Sequence, residues 1–350
     1  MTGQSAQRGA AVFLGTGRYD AAASAARRPA RPGPRDDREL VRLATLAASS
    51  HNTQPWLFRT AADSITILPD RTRRCPVVDP EDAHLYKSLG CAAENLVHAA
   101  SIQGYAAAVC YDRAADAVVV RLRQAPGLPP TELSRALATR QCTKSVYDGS
   151  PVSSEDLAEL ERAGTGDGVR CLVITDRSEV AEVSALVERG NRAQLTDEAF
   201  RRELLAWIRF NARAALVSAD GLAGRVNGQP PLPTTLGRLL APLVVTASAQ
   251  VKADRTRLGS SAGVAVFLTS HDSPASWVEA GRAYERFSLT ADLLGVRSAF
   301  VNQPIEVPPL RGELRTTLGV DGQPQLMVRF GHAPYGPYSL RRPVNEVLLA

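Results

Sequence analysis

The stretch Ala47–Phe58, AASSHNTQPWLF, concentrates groups able to hold a ligand: two serines, an imidazole, two carboxamides, a proline and an indole. Asn52 and Gln54 donate and accept hydrogen bonds without charge, which suits a flat heterocycle edged with carbonyls and ring nitrogens. Pro55 fixes one backbone angle and biases Gln54 away from helix, so the expectation is a stiff, extended wall. The same residues also suit a helix end and turn, with Ser and Asn capping backbone groups and Trp56 entering the core. Composition alone does not separate these two.

Two cationic clusters stand far from this stretch in sequence. Arg140–Lys144, RQCTK, sets two cations four positions apart with a thiol and a hydroxyl between them. A phosphate monoester needs such a set, Arg for bidentate contact and Lys as a point charge. Cations at a helix C-terminus serve the helix dipole equally well. Ser339–Pro343, SLRRP, adds Arg341 and Arg342, which could close on the same anion or lie solvated on a terminal strand. No G-x-x-x-x-G-K-[ST], G-x-S-x-G or H-E-x-x-H occurs, and neither Gly15-Thr16-Gly17 nor Gly164-Thr165-Gly166 opens a helix after a strand. P-loop, Rossmann and common hydrolase chemistries therefore lack their context. Ser50 and His51, adjacent on an extended segment, are expected to point to opposite sides, which argues against a nucleophile and base.

The elements that position these groups follow from periodicity. Leu40, Leu43, Ala44 and Ala47 recur at helical spacing, predicting a helix over 37–47 that delivers the chain into the SSHNTQPW turn. Ser64–Leu68 reads as a short strand. Ala83–Ile102 is apolar nearly all round and predicts a buried helix ended by Gly104, followed by a strand pair at 105–111 and 117–122. A second helix of the same type spans Trp277–Val296. At a shift of 191 positions Gly281 falls on Gly90, Ala283 on Ala92, Ala291 on Ala100 and Gly295 on Gly104, suggesting an internal repeat. The short helix Asp156–Ala163 mimics Glu39–Leu46 and also leads through a polar turn to a strand, but its turn has no counterpart of Asn52, Gln54, Pro55 and Trp56.

The chain has 350 residues, 44% hydrophobic and 22% charged, enough for one large or two ordinary domains. Its net charge of +5 is spread among 36 acidic residues, so anion-binding arginines and a basic tail are expected, with no nucleic-acid partner. Five cysteines without C-x-x-C spacing argue against a zinc site or disulfide framework and fit a reducing compartment. Residues 1–36, rich in Ala, Arg, Gly and Pro, are expected to form a disordered tail. The run Ala10–Leu14 is too short for a signal-peptide core, and no apolar run spans a membrane, so a cytoplasmic protein is expected.

Together the SSHNTQPW turn, RQCTK, the QPIE segment Gln303–Glu306 and the C-terminal LRRP resemble the FMN-dependent nitroreductase family. They are most similar to its two-lobed, Acg-like NAD(P)H nitroreductase branch, in which one chain resembles a fused dimer. The resemblance covers roughly residues 38–349. It implies an α+β, nitroreductase-like fold, with lobes over 37–130 and 131–350 forming an intramolecular pseudo-dimer, each a sheet packed with helices. Carried over, Arg140, Gln141, Cys142 and Lys144 take the first-motif role and Arg341, beside Arg342, completes the FMN phosphate site. Ser49, Ser50 and Asn52, with Gln54, edge the flavin ring. Asn302 and Gln303 fall where the family's backbone approaches flavin N5, and Arg257 falls near a lysine that contacts the ring. Cys142 replaces the usual serine, and Asn302 and Gln303 replace a Glu-Gly pair.

The resemblance further implies FMN as cofactor, NAD(P)H as electron donor, and a nitroaromatic, quinone or similar flat small-molecule acceptor. It implies no catalytic side chain and no metal. Because the first lobe lacks an RQCTK pattern, one composite site per chain is expected, in a monomer or a homodimer. An insertion at about 200–251, without partner in the first lobe, is expected to be a lid over the flavin or a brace between lobes. Two rival expectations are an FMN-sequestering protein with little turnover, and a thiol enzyme using Cys142.

Overall fold

The computed structural model describes residues 3–349, with side chains described from residue 15 onward. Helix α1 (Gly3–Ala26) precedes α2 (Asp37–Ala44), whose N-cap Asp36 accepts from the Glu39 amide. Then follow β1 (Trp56–Thr60), β2 (Ser64–Pro69), α3 (Ala83–Ile102), β3 (Tyr105–Asp112) and β4 (Ala117–Gln124). These four strands form one antiparallel sheet in the order β1-β2-β4-β3. Helix α3 is buried from His84 to Ser101 except at Val97, as its apolar circumference requires.

The second half begins with α4 (Ser154–Ala163) and β5 (Val169–Ile174). An excursion then runs through α5 (Arg177–Thr196), α6 (Glu198–Trp207), β6 (Ile208–Arg209), α7 (Ala212–Ser218), β7 (Leu222–Ala223), α8 (Thr234–Val244) and α9 (Ala247–Gly259). The chain returns as β8 (Gly263–Thr269), α10 (Pro274–Leu293), β9 (Arg297–Phe300), α11 (Gln303–Glu306), α12 (Pro308–Thr317), β10 (Gln323–Gly331) and α13 (Val344–Val347). The second antiparallel sheet has the order β5-β8-β10-β9, which repeats the first sheet strand for strand. Gly104 and Gly295, paired by the 191-residue shift, both end their helices with left-handed backbone, φ 77° and 74°. The fold is α+β with two related lobes.

Strands β1 and β2 are joined by residues 61–63, whereas β5 and β8, their counterparts, are joined by residues 175–262. The excursion is thus longer than the 200–251 read from composition, because α5 and α9 also lie outside the repeat. Its helix α5, with α12, covers the outer face of the second sheet: Val264, Val266 and Leu268 pack with Val183, Val187 and Leu314. Ala265 and Phe267 point the other way, into a core that runs through both lobes and includes Phe58, Leu89, Tyr284 and Phe287. Covering both faces explains why β8 is apolar along its length.

The tail expectation is corrected over residues 15–36. Tyr19 is fully buried, its hydroxyl donates to the Tyr338 carbonyl (2.8 Å), and Ala23 packs with Ala215 and Leu340. Tyr19 is the large side chain of this docked, alanine-rich contact, in which Ala22, Ala23 and Ala26 also pack. The side chains of residues 3–14, the run Ala10–Leu14 included, lie outside the described residues, as do Met1 and Thr2. The C-terminal segment also crosses over: Leu348 bridges Phe58 of β1, and the Leu349 amide donates to the Phe58 carbonyl (2.8 Å). Among the described residues no helix is long and apolar enough to cross a membrane.

Candidate functional site

The turn between α2 and β1 is not extended. Residues Ser50–Asn52 form a 3-10 turn, and His51, Asn52 and Gln54 take positive φ values of 49°, 55° and 54°. Each is uncommon for a residue with a Cβ and costs of order 1 kcal/mol or more. Tertiary bonds hold the shape. The Ser49 hydroxyl accepts from the Gln54 amide (3.1 Å), and Asn52 Oδ1 accepts from Arg341 (3.0 Å). Consequently Ser50 Oγ and His51 Nδ1 lie 3.3 Å apart, correcting the expectation that they face opposite sides. Ser49, Ser50, His51 and Asn52 stay half-buried, while Gln54 is fully buried.

The second-lobe cluster reaches this turn from the other side. The RQCTK segment runs beside β9, with the Thr143 amide donating to the Ser298 carbonyl (2.9 Å). Arg140 is buried, pairs with the fully buried Glu285 (2.8 Å) and donates to the Leu46 carbonyl at the end of α2 (2.7 Å). Arg341 donates to that same carbonyl (3.0 Å) and to the Thr45 carbonyl (2.7 Å). Burial first, then the Arg140 charge, brings Arg341 down to about 10. Arg140 keeps one terminal guanidinium nitrogen, NH1, buried without a partner.

Lys144 and Arg257 extend the positive charge. Lys144 is half-buried, and burial first pushes its ammonium down, with Cys142 opposing and the nearby Arg257 adding to the effect. Arg257 pairs with Asp254 (3.0 Å). Asp254 also accepts from Asn191 (3.0 Å) and Gln303 (3.1 Å). Burial, then the Lys144 charge, holds His51 down at about 4, so its imidazole is neutral at neutral pH. Asn302 spends its side-chain oxygen on the Met327 amide (2.8 Å).

The structure therefore gathers Ser49, Ser50, Asn52, Arg140, Cys142, Lys144, Arg257, Gln303 and Arg341 around the junction of the lobes. Gln54 is used otherwise: its amide donates to the Ala219 carbonyl (2.9 Å) and accepts from the Arg342 amide (2.8 Å). Gln141 clasps Gly336 through both ends of its amide. Arg342 turns to Asp70 (3.3 Å) instead of joining Arg140. Cys142 lies 3.6 Å from the Tyr284 hydroxyl. Sequence reading missed Arg27, Glu285 and Asp254, and it considered His51 only as a partner for Ser50. Arg27 is buried, bonds the Arg140 carbonyl (3.3 Å) and stacks 4.3 Å from the Tyr338 ring centroid.

No family model matches the chain. Over 322 residues it is 27% identical to "Putative NAD(P)H nitroreductase Rv3131" of Mycobacterium tuberculosis, covering 89% of this chain and 90% of that protein. It is 24% identical over 325 residues to "Putative NAD(P)H nitroreductase acg" of the same organism, covering 89% and 94%. Solved structures with similar chains include the FMN-bound nitroreductase of Bacteroides fragilis, at 15% identity and TM-score 0.36, over 58% of this chain and 89% of that one. Another is the FMN-dependent nitroreductase NfnB of Mycobacterium smegmatis in complex with NADPH, at 14% identity and TM-score 0.37, over 61% and 90%. The resemblance drawn from the turn and the clusters is thus found again along nearly the whole chain, Acg included.

Proposed function

We propose that this chain is an FMN-dependent oxidoreductase that takes electrons from NAD(P)H and passes them to a nitroaromatic, quinone or similar flat acceptor. One observation carries the reading: Arg140 and Arg341, from distant segments, converge on the Leu46 carbonyl with a single carboxylate, Glu285, paired to Arg140. A buried excess of positive charge with an unpartnered guanidinium nitrogen fits the oxygens of a phosphate monoester. The names of the whole-chain relatives support the same class of activity.

FMN, when bound, supplies hydride acceptance from the nicotinamide and electron delivery to the acceptor. Arg140 and Arg341 hold the phosphate. Ser49, Ser50 and Asn52 edge the ring with uncharged donors and acceptors, on a turn that tertiary bonds hold rigid. Lys144 and Arg257 keep positive charge beside it, where negative charge is stabilised on reduction. His51, kept neutral by burial, offers a ring nitrogen able to hold or move a proton without placing a second cation beside Lys144.

A second reading, flavin retention with little turnover, is favoured by the excursion. Its turn at residues 219–221 is bonded onto the wall: the Gly221 amide donates to the Asn52 carbonyl (3.1 Å) and the Asn52 amide group donates to the Gly221 carbonyl (3.2 Å). The absorbance spectrum separates the readings. Protein loaded with FMN, freed of excess and mixed anaerobically with NADPH bleaches if it is an oxidoreductase. Retained flavin that stays oxidised supports sequestration, and failure to retain FMN refutes both.

A further inference from the structure

Arg27 brings a third guanidinium to Arg140 and Arg341, and it comes from the opposite end of the chain. Its NH1 donates to the carbonyls of Ala138 (3.4 Å) and Arg140 (3.3 Å), while its Nε, like Arg140 NH1, is buried without a partner. Both side chains are more than nine-tenths buried, at 7% and 2% exposure. Burial and the charges of Arg341 and Arg140 all push Arg27 downward. The three cations face one carboxylate, Glu285, which pairs with Arg140, and their like charges repel one another in a buried, low-dielectric setting. An anion relieves that repulsion and satisfies the two orphan donors together.

The apolar anchor of the segment carrying Arg27 is small: Tyr19 and Ala23 pack against Ala215, Ala223 and Leu340, and Ala26 and Ala30 touch the edge of the main core, while Asp20 pairs with Arg225 (2.8 Å), Arg28 with Glu39 (2.6 Å), and Arg35 donates to the Ala61 carbonyl (2.6 Å). Few buried apolar contacts mean a low free energy of local opening. The Arg42 side chain adds a bond to the Ala26 carbonyl (2.6 Å). Docking therefore rests on a small apolar cluster and a few polar bonds beside a charged site.

We infer that Arg27 supplies the third guanidinium of the FMN phosphate site, so that docking of residues 15–36 and retention of FMN form one linked equilibrium. The inference rests on the FMN reading above. Linkage is reciprocal: FMN stabilises the docked arm by the factor by which the docked arm tightens FMN. Riboflavin has the same ring without the phosphate and does not couple to the arm. The arm, packed on α7 of the excursion and on the C-terminal segment, then acts as a latch that a phosphorylated flavin closes.

The test uses the full chain, freed of flavin, in amide hydrogen exchange and in flavin titration, with FMN and riboflavin side by side. Expected are slower exchange over residues 15–36 with FMN but not with riboflavin, and an FMN dissociation constant raised about 10-fold or more in Arg27→Ala, with riboflavin affinity unchanged. Tyr19→Ala, which undocks the arm without removing a cation, is expected to weaken FMN selectively as well. If FMN binds normally to both variants and leaves exchange over 15–36 unchanged, the latch is wrong and the FMN reading stands. If the wild type binds neither flavin, both fall. If it binds riboflavin as tightly as FMN, the phosphate site and the latch fall while flavin binding stands.

Discussion

Gly90 of α3 and Gly281 of α10 lie at the crossing of the two helices, each pressed against the other helix's backbone. A Cβ on Gly90 would overlap the carbonyl oxygen of Val278, and a Cβ on Gly281 would overlap that of Lys87. Val278 stands as far from Lys87 in sequence as Gly281 does from Gly90, so each contact is the image of the other. That reciprocity is the signature of an isologous interface between two copies, here carried within one chain. The buried helix pair thereby fixes the seam along which Arg140 and Glu285 of the second lobe meet Leu46 of the first.

Gly90→Ala and Gly281→Ala are each expected to destabilise the fold by about 3 kcal/mol, the upper end of the cost of overpacking, because the obstacle is backbone and not a movable side chain. Gly17→Ala in α1, where no atom lies within 4 Å, provides the contrast and is expected to be neutral or slightly stabilising. Urea unfolding of the three variants checks this; equal midpoints would mean that the helices separate more readily than their packing implies.

Among the described residues Glu285 is the one carboxylate paired with Arg140, and Glu285→Gln removes it. Breaking a buried pair on one side costs about 3–5 kcal/mol, because the remaining charge is left uncompensated. An added anion should restore part of that loss. Thermal melts in rising inorganic phosphate, at constant ionic strength, are therefore expected to raise the melting temperature of the variant more than that of the wild type. Equal slopes would show that the guanidiniums do not form an anion site.

The scaffold was legible in the sequence because its signals are local and repeated. Helix α3 has the predicted ends, β3 and β4 extend their predicted strands by one and two residues, and the 191-residue register reappears in the Gly90 and Gly281 crossing. The site was legible only in part. The left-handed backbone at His51 and Asn52 is held by Arg341 and by the Gly221 turn, 289 and 169 positions from Asn52, against the local preference that Pro55 suggested. Arg27 was hidden because the carbonyls it bonds, those of Ala138 and Arg140, lie 111 and 113 positions away. Arg341 and Arg342 look alike in sequence, and only the positions of Leu46 and Asp70 send them to different partners.

Asp220 decides whether the excursion is a lid or a brace. It is buried between Arg73, beside the wall, and Arg209 (2.6 Å) of the excursion itself. Asp220→Asn leaves both guanidiniums without their carboxylate and should loosen the turn that Gln54 and Asn52 hold. The expected result is FMN release several-fold faster in stopped-flow fluorescence, with bulky acceptors gaining more than small ones. Unchanged release and an unchanged bulky-to-small ratio would make the excursion a brace.

Glu306 of α11, bonded to Gln194 of α5, faces His84 of the first lobe and gives a pH signature. Burial first, then the charges of Asp79 and Glu203, raise its carboxyl to about 7, against the lowering influences of the Gln194 hydrogen bond (2.7 Å) and Lys87. His84 Nε2 stands 3.8 Å away and is itself held neutral by burial. A carboxyl with a raised folded pKa binds more protons folded than unfolded between about pH 4.5 and 7, so its contribution to stability falls as pH rises through that window. Glu306→Gln removes this loss. Subtracting the stability curves of variant and wild type cancels the opposite contribution of His84, and Lys87, lowered to about 8, titrates above the window. The variant is expected to gain on the wild type by roughly 1–3 kcal/mol between pH 4.5 and 7.5, read from urea midpoints. A difference that stays flat across this range would place the Glu306 proton equilibrium in the ordinary carboxylate range and remove α11 as a pH-sensitive element beside Gln303.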